Sequence, residues 1–207
     1  MTWEEDRPVA QGRVRDRQPH AGPHGGHGQK PRGACRTGSS NERCKEYGIP
    51  APVSFAYPGN AITKNALPIL KNLGIKFARR GGSPEFPYKE GRGFAFEPGL
   101  DHPLLVPSAG DARPGWTLED FKRAVAQAKH GKIAVLQFHG VPDTAHNWVT
   151  TSKEQFEAYL KYLADNRFQV IALRDLPRYV DPEILPSNPW GIIENRQRQL
   201  SDAEKKQ

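Results

Sequence analysis

Apolar residues along this chain come in short runs and in helical stripes, and the two alternate. Pro52-Val-Ser-Phe-Ala-Tyr57 reads as a strand closed by Pro58-Gly59. Ala66, Leu67, Leu70 and Leu73 then share one face of a helix that Asn60 or Thr63 can cap and Gly74 ends. Ile75-Lys-Phe-Ala78 is a second short strand, running into Arg79-Arg80-Gly81-Gly82. A Pro- and Gly-rich connection follows over residues 83–115, and connections of that length usually carry function. Thr117 caps the next helix, with Glu119 and Asp120 in its first turn and Phe121, Val125 and Ala128 on its buried face. The strand 133–139 comes next, then a loop through Pro142 and Trp148. Ser152 caps a helix bearing Phe156, Leu160 and Leu163. Phe168-Gln-Val-Ile-Ala-Leu173 reads as a last strand, with Leu176 and Tyr179 on a short terminal helix. Beyond Pro186 the chain turns polar and is expected to fray. Helices between short apolar strands imply parallel pairing and an α/β architecture, either barrel or doubly wound. The strands found are fewer than a closed barrel requires.

The pattern does not extend over the whole chain. Residues 1–40 contain no Leu, Ile, Phe or Tyr, so they bury too little apolar surface to offset chain entropy and are expected to be disordered. The periodic chemistry begins at Asn41. This divides the 207 residues into a disordered segment 1–40, a folded domain 41–181 and a polar C-terminal tail 182–207. The formal charge of +7 is scattered, which favours a solvated basic surface over nucleic-acid binding. No stretch reaches membrane-spanning length, so no membrane partner is expected. The N-terminus lacks the apolar core of a signal peptide, which leaves the cytoplasm as the default location. Cys35 and Cys44 read as free thiols, being too few for a disulfide framework and wrongly spaced for a zinc ribbon.

Candidate chemistry begins with Ala134-Val-Leu-Gln-Phe-His139-Gly, an apolar run that ends on an imidazole. The carboxyl ends of parallel strands are where ligands and catalytic groups collect. A strand-end histidine can equally be satisfied by a backbone hydrogen bond.

Phe55-Ala-Tyr-Pro-Gly-Asn60, Leu136-Gln-Phe-His139 and Phe168-Gln-Val-Ile-Ala-Leu173 with Leu176 resemble, in order and spacing, polysaccharide deacetylases of the NodB-homology type. The likeness runs from about Asn41 to Asp181. It implies a distorted (β/α) barrel, here incomplete, and metal-dependent removal of acetyl groups from N-acetylated polysaccharide or oligosaccharide. His139 matches the histidine that protonates the departing amine, a role needing an imidazole within reach of the leaving nitrogen. Tyr57, Pro58 and Gly59 match the strand-end motif whose backbone N–H holds the oxyanion. Proline has no N–H, so that donor falls to Gly59 or a neighbour. Leu136 would line the pocket for the acetyl methyl, and Trp116 and Trp148 either face sugar rings or pack in the core.

The sequence departs from the family at two places. Many relatives carry an arginine where Ala56 stands, to orient the catalytic carboxylate. The segment T-F-D-D, which supplies the base and a metal ligand, is absent. The divalent metal of the family, zinc or similar, is normally held by H-[ST]-x-x-H. Only His20-Ala-Gly-Pro-His24, followed by His27, offers that spacing, with no strand before it and Gly22 and Pro23 foreign to the motif. The composition of residues 1–40 is what out-of-frame reading of a G/C-rich gene produces. The sequence therefore points to a deacetylase-like domain lacking its metal-binding first strands, impaired as a catalyst and self-associating through exposed edges. The alternative is a non-catalytic carbohydrate-binding or interaction protein that keeps the fold.

Overall fold

A computed structural model describes residues 41–205. Strands β1 (Ser54–Ala56) and β2 (Phe77–Arg79) pair in parallel, with Ala56 across from Arg79. Strands β3 (Gly110–Asp111) and β4 (Leu136–Gln137) form a second parallel pair, with Asp111 across from Gln137. The segment 105–112 joins the two pairs. On one flank the Arg80 N–H donates to the Val106 carbonyl (2.8 Å) and the Val106 N–H to that of Ala78 (2.9 Å). On the other, the Ala109 N–H donates to Val135 (2.8 Å) and the Ala112 N–H to Gln137 (2.9 Å). Helices α1 (Ala66–Asn72), α2 (Leu118–Val125), α3 (Lys153–Asp165) and α4 (Pro189–Glu204) surround them. Among the described residues the paired strands do not close on themselves.

The structure differs from the sequence pattern in several elements, and of the expected strand 133–139 only Leu136–Gln137 forms one. Neither Asn60 nor Thr63 caps α1; Asn65 holds that position without a side-chain bond. Asn60 lies instead in a 3-10 turn at a φ of 56°, its amide oxygen accepting from Arg79 Nη1 at 3.1 Å. The connection 83–115 is not a loose loop, for it carries β3 and the fully buried Phe96 and Val106. The run 168–173 makes no ladder: the Phe168 N–H donates to Leu163, while the amides of 169–173 find no partner among the described residues. Ile171 and Leu173 nevertheless pack against Phe77, Phe96 and Val106. The stretch expected to fray forms α4, which buries Ile193 and carries Arg196 onto Asp101 through two bonds of 2.6 and 3.0 Å.

Three apolar clusters hold these elements. Trp116, Phe121, Tyr159 and Leu163 join α2 to α3, with Phe121 and Tyr159 stacked at 4.4 Å. Tyr57, Leu70, Ile75, Leu104 and Ile193 join α1 to α4, and Phe77, Phe96, Val106 and Leu176 fill the space between. One ion pair is wholly desolvated. Arg80 meets Glu85 through two bonds of 2.7 and 2.6 Å and also donates to the carbonyls of Leu105 and Ser83. Such a pair is tolerated in a core only when its remaining donors are satisfied, as they are here. No described helix is long and apolar enough to cross a membrane.

Candidate functional site at the strand ends

Ala56, Arg79, Asp111 and Gln137 are the last residues of β1 to β4. The registers pair Ala56 with Arg79 and Asp111 with Gln137, and the Arg79 side chain reaches from the first pair to Gln137 in the second. His139 follows Gln137 by two residues, just beyond the end of β4, and the two side chains meet. Asp111 is placed there by packing. A Cβ on Gly110 would collide with the Trp116 ring, so glycine lets that ring lie against β3.

The contacts form a chain with determined polarity. Arg79 Nη1 donates to Asn60 Oδ1 and to Gln137 Oε1. Arginine can only donate, so the Gln137 oxygen is fixed toward it. Gln137 Nε2 therefore faces His139 Nε2, at 3.1 Å. An amide nitrogen donates, so the neutral imidazole accepts on Nε2 and carries its own proton on Nδ1.

A carboxylate waits on the other side of the same nitrogen. Asp111 Oδ1 lies 3.5 Å from His139 Nε2, is buried and makes no hydrogen bond, while Oδ2 accepts from Arg113 Nη2 at 2.6 Å. Burial pushes the Asp111 carboxyl above its ordinary range, against the opposing pull of Arg113, His139 and Arg79. Arg113 in turn lies over the Tyr88 ring at 4.0 Å. Burial draws Arg79 down, opposed by the charge of Asp111. When His139 gains a proton on Nε2, that N–H loses Gln137 as a donor and finds Asp111 Oδ1 as an acceptor. The arrangement can therefore store a proton and release it.

The residues singled out from the sequence fall into three groups. His139 reaches solvent, its side chain 30% exposed, and Pro58, Gly59 and Asn60 form the turn tied to it through Arg79. Tyr57 and Trp116 are buried, and Leu136 is partly buried. Tyr57 is 4% exposed and donates its hydroxyl to the Leu104 carbonyl at 2.8 Å, and burial raises its pKa far above the usual phenol range. Trp116 is 4% exposed and donates to the Glu90 carbonyl, so it offers no face to a sugar. Leu136 packs against the Trp116 cluster. Trp148 is 63% exposed, with the His146 ring edge-on at 5.2 Å.

His20 and His24 lie outside the described residues. Among the described residues no group of three or more His, Cys, Asp or Glu is arranged to hold a metal. The Asp111–His139 pair does not fit a divalent cation either, because Arg79 and Arg113 flank it with positive charge.

Sequence reasoning missed Arg79, Asp111, Gln137 and Arg113. For Gln137 the signal was available, since alternation puts it beside His139. In comparisons with known proteins, no family model, no curated protein and no solved structure matched the chain.

Proposed function

We propose that the chain is a hydrolase-type domain of the polysaccharide-deacetylase kind, an incomplete distorted (β/α) barrel acting on N-acetylated sugars. In this reading His139 gives a proton to the departing amine, and Asp111 holds the imidazolium that precedes the transfer. The observation that supports it most is the side-chain cluster of Arg79, Asp111, Gln137 and His139 at the carboxyl ends of parallel strands. That is the end where such architectures gather catalytic groups. The free N–H of Gly59, which makes no hydrogen bond among the described residues, supports its assignment as an oxyanion donor.

Proton transfer alone contributes about two to four orders of magnitude, and activation of the attacking water is a separate requirement. The described residues supply no set for that second task, so turnover well below that of a complete site is expected. The test measures acetate release from N-acetylated chito-oligosaccharides, with and without added zinc, beside calorimetric binding of the same sugars. Binding with acetate release near background fits the reading. Zinc-dependent release that vanishes in His139→Ala would restore full activity to the chain. Absence of binding to any acetylated sugar would remove the reading altogether.

A second reading, carbohydrate binding without cleavage, draws on the exposed Trp148. His146, beside it, is held by Asp143 through its backbone N–H at 2.8 Å and through Nδ1 at 3.2 Å. A flat indole braced by a fixed neighbour suits stacking on a pyranose. Under this reading Trp148→Ala abolishes sugar binding and His139→Ala leaves it intact.

A further inference from the structure

The strand-end cluster holds two arginines and a single carboxylate among the described residues. Arg113 takes that carboxylate, at 2.6 Å. Arg79 is left with two uncharged partners, the amide oxygens of Asn60 and Gln137. Both bonds use Nη1. Its Nε and Nη2 make no hydrogen bond among the described residues, and the residue is only partly buried. A partly buried guanidinium that has lost water without gaining an anion is incompletely solvated, and an anionic ligand removes that deficit.

We propose that Arg79 is the recognition group of a carboxylate-binding site beside His139. Three features favour a carboxylate over other anions. The guanidinium edge left open presents two parallel N–H groups, which match the two oxygens of a carboxylate. Asn60 and Gln137 fix the plane of that fork from the opposite side, so little rotamer entropy remains to be lost on binding. With Arg113 neutralised by Asp111, one unit of positive charge is uncompensated, which suits a monoanion. The ligand is either a small free acid such as acetate or the carboxyl group of an acidic sugar. The acetate source rests on the hydrolytic reading, in which acetate is a product; the site itself does not.

The test titrates the full chain with sodium acetate and, separately, with sodium glucuronate, at ionic strength matched by sodium chloride. Binding is read by calorimetry and by the amide and His139 resonances. Saturable binding of at least one acid is expected, weakened about tenfold or more in Arg79→Gln. Arg79→Lys keeps the charge and loses the fork, so an intermediate affinity is expected. It also serves as the second variant should Arg79→Gln fail to fold, as judged by circular dichroism. Preference for acetate assigns a free small acid, and preference for glucuronate assigns an acidic sugar. The proposal is overturned if neither acid saturates beyond the chloride control, or if a folded Arg79 variant binds as well as the parent. Carboxylate binding by a chain that binds no acetylated sugar would sink the hydrolytic reading and leave this site standing. Deacetylation without carboxylate binding would do the reverse.

Discussion

Gln137 governs His139 through a choice it does not make itself. Its oxygen is claimed by Arg79, which leaves only the amide nitrogen to face the imidazole. Replacing Gln137 by Leu removes that donor and leaves Asp111 Oδ1, at 3.5 Å, as the group facing Nε2. The neutral ring is then expected to move its proton from Nδ1 to Nε2, a bias on the order of 1 kcal/mol, the worth of one hydrogen bond. Nitrogen-15 spectra of the ring report the tautomer directly. An unchanged pattern would sink the relay from Arg79 to His139. At this scale the sequence was legible for His139, because an imidazole ending an apolar run stands out. It was illegible for Arg79, whose importance comes from side-chain bonds to Asn60 and Gln137, 19 and 58 positions away.

The elements divide by whether their causes are local. Thr117 and Ser152 were readable as caps, and both complete capping boxes. The Asp120 N–H donates to Thr117 Oγ1 at 3.2 Å, and the Thr117 N–H donates to Asp120 Oδ2 at 2.9 Å. Thr117→Ala is expected to cost about 1 kcal/mol in urea unfolding at neutral pH. The backbone bond from Thr117 holds the Asp120 carboxyl below its ordinary range. A depressed carboxylate stabilises the fold above the unfolded-state value, about pH 4, and that contribution is lost as pH falls through the lower folded value. Alanine keeps that backbone bond and loses the hydroxyl bond from Thr117 Oγ1 to Asp120, the smaller contribution, so the gap between parent and variant should narrow slightly in acid, and a gap that widens would contradict the cap. Non-local causes defeated the pattern elsewhere. Asn60 had the chemistry of a cap but is engaged by a residue 19 positions on. The run 133–139 had the composition of a long strand, yet only Leu136–Gln137 has a continuous partner, because β3 is two residues long.

At the scale of the molecule, the same shortness leaves backbone groups open. The amides of 169–173 lack partners among the described residues and Val170 is 68% exposed, so this segment can serve as a template for another strand. Concentration-dependent association is expected in light scattering. Ala172 has a φ of −78°, which proline accepts without strain, so Ala172→Pro removes a donor and leaves the conformation intact. The variant should shift the species toward monomer; equal association would place the contact elsewhere. The α/β alternation was legible here because it repeats along the chain. The docking of α4 was not, since its polar sequence betrays nothing of Asp101.

That docking has a consequence for how the molecule comes into being. The cluster around Tyr57 and Leu70 includes Ile193, and Asp101 takes two of its bonds from a residue 95 positions later. A nascent chain emerging from the ribosome can build the Trp116–Tyr159 cluster as soon as α3 appears. It cannot seal the Tyr57 cluster until α4 has been made. The half of the fold that is translated first is therefore the half completed last, and ribosome stalling before Pro189 would leave its apolar face waiting.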